Sequence, residues 1–148
     1  MSLPAALVAG FAGSSVLTLI HETARRNIPQ APRADILGMR ALEKGFFAAG
    51  KQPPTGDEMH RLTLGADIVA NAGYYALVAV AGRRAAWPTG IALGLLAGIG
   101  AITLPGPLGL GTEPTERTPE TKAMTVAWYT IGGIIAALVY RLLTGDRA

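Results

Sequence analysis

Four long apolar segments constrain what this chain can fold into, because each has the length needed to cross a lipid bilayer. A helix needs roughly 20 apolar residues to span the hydrocarbon core, and it satisfies its own backbone hydrogen bonds there. The segments cover residues 3–20, 62–81, 85–104 and 123–143. We therefore predict an all-α membrane protein, a four-transmembrane-helix bundle, in which residues 1–148 form a single transmembrane domain.

Composition supports a lipid environment and excludes several kinds of site. Only 16% of the residues are charged, against about 25% in typical soluble domains. The chain contains no cysteine, which rules out disulfides, iron–sulfur clusters and cysteine nucleophiles. No nucleic-acid-binding signature accompanies the net charge of +3. The predicted partner is the lipid bilayer, and nucleic acid is not expected.

Positive charges are distributed unevenly between the two sides of the predicted bundle. With four spans, both termini lie on one side, and the loops 21–61 and 105–122 lie on the other. Nine of the 13 Lys and Arg residues fall in these two loops. Because Lys and Arg are enriched in cytoplasmic loops, we predict that both loops are cytoplasmic. We further predict that both termini lie outside the cytoplasm and that the protein is integral to the cytoplasmic (inner) membrane of a bacterium.

The first loop contains an amphipathic segment between the first two spans. Residues 33–49 combine apolar and charged positions at helical spacing, with Pro32 before them and Gly50 after them. This pattern predicts a short amphipathic helix lying at the membrane interface. The alternative is a helix packed on the ends of the bundle. Residues 105–120 are rich in Pro, Gly and Thr, and we expect them to be irregular.

Small residues recur at one-turn spacing along three of the spans. Helices in lipid associate largely through such close-packing faces. The pattern leaves open whether the contacts lie within one chain or join copies in a homo-oligomer through Gly90, Gly94 and Gly98. The residues are Ala6, Gly10 and Ser14 in span 1, Gly90, Gly94 and Gly98 in span 3, and Gly133 and Ala137 in span 4.

Polar residues share single helix faces on spans 1, 2 and 4. The most informative is Asp67, because an aspartate at the centre of a membrane helix costs about 2.5–3.5 kcal/mol to insert and is a functional candidate by default. The polar stripes converge at the loop-bearing end of the bundle. The predicted ligand- or ion-binding candidates are Asp67, Asn71, Glu22, His21, Tyr75, Thr125 and Tyr129.

Each candidate also has a structural interpretation. Glu22 is well spaced for an ion pair with Arg26 or with Arg25, and Asp67 could be satisfied by a hydrogen bond from a neighbouring helix. His60 is placed just outside span 2, as a solvated or capping residue. Metal binding is a weak alternative, and haem a weaker one through the two histidines; no cofactor is predicted. The weak metal candidates are His21, Glu22, His60 and Asp67.

Three classes of function are compatible with these residues. The preferred hypothesis is binding or translocation of an ion or small molecule through the polar cluster. The second is a membrane-embedded enzyme acting on a lipid or isoprenoid, which would require a groove open to lipid and lined by Glu22 and Asp67. The third is a structural or assembly subunit, whose polar cluster would be internally paired without a pocket. No catalytic motif is present, so the sequence leaves enzymatic activity undecided.

Overall fold

Helices and turns make up the part of the chain that the computed structural model describes, residues 2–145. A 3-10 turn, Leu77–Ala79, extends the third helix. Arg147, one of the charges used to predict orientation, lies outside the described residues. The helices are α1 (Leu3–Asn27), α2 (Ala34–Ala48), α3 (Gly56–Ala76), α4 (Gly82–Thr103), α5 (Glu113–Glu116) and α6 (Pro119–Leu143).

Four of these helices are long and apolar enough to cross a membrane. They contain 22 to 25 residues each, α3 being counted together with its 3-10 turn. This confirms the four predicted segments as helices. The predicted amphipathic helix is observed as α2. Gly50, just beyond its end, adopts a left-handed conformation (φ +69°), which is common where helices end. The second loop was expected to be irregular throughout, but Pro114 lies in the first turn of the short helix α5, where proline suits a helix start.

The helix ends extend beyond the bounds that hydropathy predicts, because polar residues continue the hydrogen-bonded backbone. Helix α1 runs to Asn27, and α6 begins at Pro119 after Thr118, whose hydroxyl accepts the backbone N–H of Thr121. Helix α3 begins at Gly56. His60, which we predicted to lie just outside span 2, is therefore on the second turn of α3 and not in a loop.

The bundle buries small residues and exposes large apolar ones. Val69, Val80 and Leu142 are more than 70% exposed, whereas Ala9 and Ala136 are fully buried. A protein surrounded by water rarely shows so much apolar surface. In lipid the arrangement is favourable, because large apolar side chains face the acyl chains and small ones allow the helices to approach closely.

Glycines bring α4 and α6 into backbone contact. A Cβ on Gly90 would collide with the carbonyl of Gly133, and a Cβ on Gly98 would lie 2.7 Å from the Cα of Val126. The predicted small-residue faces of spans 3 and 4 thus meet within one chain. A homo-oligomer through Gly90, Gly94 and Gly98 stays a prediction, but α6 already covers this face.

Helix α1 lies between α3 and α6, and α4 packs mainly on α6. Ser14 on α1 donates its hydroxyl to the carbonyl of Ile68 on α3, 2.8 Å away. Helices α3 and α4 follow one another in sequence but contact each other little. The two long loops meet at one end of the bundle, called the α2 end below. There Thr121 donates to the carbonyl of Gln30 over 2.8 Å.

Gly98→Ala tests the contact between α4 and α6. Because the added Cβ meets the backbone of Val126, we expect a loss of roughly 1–3 kcal/mol in the free energy of unfolding. Gly73→Ala is the matched control, since a Cβ there meets nothing within 4 Å and alanine is the better helix former by about 1 kcal/mol. Denaturant unfolding in detergent measures both variants. Equal effects would contradict the close packing of α4 on α6.

Candidate functional site

A small polar cavity lies at the α2 end, where α1, α3 and the start of α2 meet. Its volume is about 20 Å³, roughly enough for one water molecule. Four of the predicted residues, His21, Glu22, His60 and Asp67, line it together. The complete lining, which defines the polar cavity, is Thr18, His21, Glu22, Ala34, Asp35, His60, Thr63, Leu64 and Asp67.

Glu22 is compensated by positive charge. Its carboxylate accepts hydrogen bonds from Nε and Nη2 of Arg25 at 2.9 and 2.7 Å. Arg26 lies 3.6 Å away, and Nε2 of His60 lies 3.7 Å away. The structural interpretation of Glu22 as an ion-paired residue therefore holds, with Arg25 as the principal partner. Glu22 therefore lines the cavity as an ion-paired residue and not as a free carboxylate.

Asp67 has a much weaker partner. Its Oδ1 accepts a hydrogen bond from Nδ2 of Asn71, one turn later on the same helix, at 2.9 Å. Within residues 2–145, no Lys, Arg or His lies within ion-pairing distance of this carboxylate. The hydrogen bond expected from a neighbouring helix is replaced by one from Asn71. Asp67 is thus a carboxylate within a membrane-length helix without a compensating cation among the described residues.

His21 is buried, with only 6% of its surface exposed. Its ring packs against Trp128 and Tyr129 of α6, with centroids 5.3 and 5.7 Å away. Neither Nε2 of His21 nor Oγ1 of Thr18 has a hydrogen-bond partner within the described chain. Unpaired buried polar atoms cost about 1–3 kcal/mol each. A water molecule or a water-sized ion in the cavity would offer a partner to both.

Three predicted candidates are used in packing instead of lining the polar cavity. Tyr75 is fully buried and donates its hydroxyl to the carbonyl of Tyr129 at 2.7 Å. Thr125 donates to the carbonyl of Thr121 at 2.8 Å and also approaches that of Thr115. Tyr129 does not line the polar cavity, but its ring contacts the ring of His21, which does. These contacts join α6 to α3 and to α5.

No metal site is formed by the described residues, since no three His, Asp or Glu side chains of the described chain are arranged to hold a metal ion. The polar cavity brings two histidines and two carboxylates of the weak metal prediction to one place. However, the carboxylate of Glu22 is already hydrogen-bonded to Arg25, and the ring of His21 packs against Trp128. The donor set is therefore spread around the cavity instead of converging on one point.

Asp35 is the cavity residue that sequence reasoning missed. It lies in the first turn of α2, its side chain is 7% exposed, and Arg33 holds it through two hydrogen bonds of 2.8 and 2.7 Å. Nothing in the local sequence says that the start of α2 covers α1 and α3. The sequence signal was limited to an aspartate, Asp35, two residues after an arginine, Arg33. The close fit of Gly38 against Thr63 brings this helix onto α3.

Arg33 also controls the ionisation of Asp35. Burial by itself would raise the pKa of the Asp35 carboxyl, but the hydrogen bonds and charge of Arg33, with smaller help from other groups, outweigh it and hold the pKa below its usual range. A lowered folded-state pKa means that the ionised carboxylate favours folding. This contribution is present above the unfolded value of about 3.9 and is lost as the pH falls through the folded-state pKa.

The chain matches no protein-family model, and neither a curated protein nor a solved structure is detectably similar to it. Fold and function are therefore inferred from the residues and their arrangement.

Asp35→Asn tests the cover over the polar cavity. We expect a lower melting temperature near neutral pH, because Arg33 loses an anionic partner. The difference from wild type should begin to shrink as the pH falls below about 4, the unfolded-state value, and should disappear below the lowered folded-state pKa, where the wild-type carboxyl is protonated in the folded protein too. Asp57→Asn, at an exposed position of α3, is the matched control. Thermal unfolding in detergent across this pH range measures the effect, and a pH-independent difference would refute the role given to the Arg33–Asp35 pair.

Proposed function

We propose that this chain is a small integral membrane protein that binds a proton, or a cation of about the size of water, in the polar cavity. The observation that carries the proposal is Asp67, a carboxylate in a membrane-length helix whose hydrogen-bond partner is the neutral amide of Asn71. Burying an unpaired carboxylate is costly, and binding a proton or a small cation removes that cost. Ionisable groups in membrane spans commonly mark ion and proton pathways.

The neighbours of Asp67 suit a proton or a small cation better than a larger ligand. A cavity of about 20 Å³ has no room for an organic molecule. His21 and Thr18 contribute polar atoms without other described partners, which a proton-bearing water molecule or a small cation could engage. His60 and Glu22 lie at the α2 end of the same cavity.

Binding is better supported than continuous conduction through one chain. Beyond Asp67 the helices close tightly, because a Cβ on Gly10 of α1 would collide with the backbone of Ala72 on α3. Translocation would therefore require the helices to move or a second chain to take part. The proposed site is open to protons from one side and closed towards the other.

The alternatives draw on different observations. An enzyme acting on lipid would need Glu22 and Asp67 in a groove open to the bilayer, but both line the small polar cavity instead. An assembly subunit would pair its polar groups internally, as Glu22 and Asp35 do. Asp67 and His21 do not follow that pattern, which is why ion binding is preferred.

Location is part of the proposal. Nine of the 13 Lys and Arg residues lie in the two loops at the α2 end, which favours a cytoplasmic position for this end. Both termini then face outward from the inner membrane of a bacterium. In this orientation the polar cavity draws its protons from the cytoplasm.

Asp67→Asn tests the proton-binding proposal. On acidification, infrared difference spectra of the reconstituted protein should show a carbonyl band of a protonated carboxyl shielded from water, separate from the bands of the exposed carboxyls, and Asp67→Asn should remove this band. If a cation competes, raising Na⁺ should move the midpoint of the band to lower pH. Asp57→Asn should keep the band, because Asp57 is exposed on the first turn of α3. An unchanged band in Asp67→Asn, with unchanged proton flux in liposomes, would sink the proposal.

Single cysteines test the orientation, since the natural chain contains none. Ala81→Cys lies between α3 and α4, and Lys51→Cys lies between α2 and α3. A membrane-impermeant thiol reagent should label Ala81→Cys on intact cells. It should label Lys51→Cys only after the membrane is permeabilised. The reverse pattern would mean that the termini are cytoplasmic.

A further inference from the structure

A second, larger opening lies between α3 and α4, the two consecutive helices that contact each other little. We call it the lateral groove. Its volume is about 460 Å³, within the range of roughly 300–1,000 Å³ found for small-molecule sites. Its lining is mostly apolar and comprises Leu37, Ala70, Asn71, Tyr74, Leu96, Ala97, Gly100, Ala101, Leu104, Pro105, Leu108, Leu110 and Tyr129.

Two of the three polar side chains that line the lateral groove are already engaged. The hydroxyl of Tyr74 donates to the carbonyl of Leu93 at 2.8 Å, and the amide of Asn71 donates to Asp67. The walls formed by Ala97, Gly100 and Ala101 present small side chains at positions that lie within a membrane-length helix. Such a groove favours an apolar chain over a polar ligand.

One end of the lateral groove reaches the α2 end of the bundle, where Leu37, Leu108 and Leu110 form its mouth. Two cations of α2 do not line the groove itself but donate to the backbone at this mouth. Nζ of Lys44 donates to the carbonyl of Leu108, and Nη1 of Arg40 donates to that of Leu110, both at 2.7 Å. The groove therefore joins an apolar interior to a basic rim.

The two cations differ in whether a nearby carboxylate neutralises their charge. Arg40 forms an ion pair with Glu113 at 2.7 Å, which neutralises its charge. Lys44 is exposed, and within residues 2–145 no carboxylate lies within ion-pairing distance of its ammonium group. An ammonium group has three N–H donors, so two remain after the bond to Leu108. Lys44 thus presents a positive charge and free donors at the mouth.

We propose that the lateral groove binds one anionic phospholipid, with an acyl chain between α3 and α4 and the phosphate at Lys44. The apolar lining would accommodate the acyl chain, and the charge of Lys44 would favour an anionic headgroup. Basic pockets between membrane helices are suited to such headgroups. The site is separate from the polar cavity and does not depend on proton binding there.

Native mass spectrometry of the purified full chain tests the proposal, with phosphatidylglycerol and phosphatidylcholine added in parallel. Wild type should bind phosphatidylglycerol more tightly. Lys44→Gln should weaken phosphatidylglycerol binding about fivefold, as expected for one lost lysine at the membrane surface, and leave phosphatidylcholine binding unchanged. Lys51→Gln is the matched control, since Lys51 is also exposed but lies beyond the end of α2, and it should behave as wild type.

Gly100→Leu tests the groove independently of charge. A Cβ at Gly100 meets only the side chain of Leu104 at 3.5 Å, so the leucine can be accommodated while it fills the groove. Binding of both lipids should fall, whereas Gly73→Leu, at an open position of α3, should retain it. Equal binding of the two lipids by wild type, or no effect of Lys44→Gln, would overturn the proposal. Dimerisation that Gly100→Leu abolishes, without any change in lipid binding, would assign the groove to a second copy and also overturn it.

Discussion

Close contact between small residues is the constraint on which the rest of this structure depends. In lipid, leucine gains nothing by leaving the acyl chains, so helices associate where their backbones can approach closely. Gly90 and Gly98 give α4 this approach to α6, and Gly10 gives it to α1 against α3. The large apolar residues are thereby left on the outer surface. A bulky residue at any of these glycines would separate two helices and move the polar groups that they carry.

The same contacts explain both openings in the bundle. Because α1 packs between α3 and α6, His21 is buried against the aromatic side chains of α6 while Asp67 of α3 lies across the polar cavity from it. Helices α3 and α4 contact each other little, and the lateral groove opens between them. One opening is small and polar, and the other is large and apolar. Each is a consequence of which helix pairs approach closely.

The acidic residues around the polar cavity differ in their compensation, and this difference supports the functional proposal. Glu22 is held by Arg25, and Asp35 is held by Arg33. Both ion pairs lie towards the α2 end of the bundle, and each accounts structurally for the charge of its carboxylate. Asp67 lies further along the membrane-length helix α3, and among residues 2–145 its hydrogen-bonding partner is the amide of Asn71. A buried carboxylate is usually paired with a cation, so this exception is the observation on which the proposed function rests.

The four membrane-length helices and α2 could be predicted from the sequence, because hydropathy and helical periodicity are local properties. Asp67 and Asn71 could also be assigned to one helix face from their spacing. The helix ends could not, since charged turns such as Glu22 with Arg25 continue a helix past its apolar stretch. Tertiary packing alone decided that Asp35 covers the polar cavity and that Tyr75 and Thr125 do not line it. These outcomes depend on which helices meet, and that depends on backbone contacts between residues far apart in the chain.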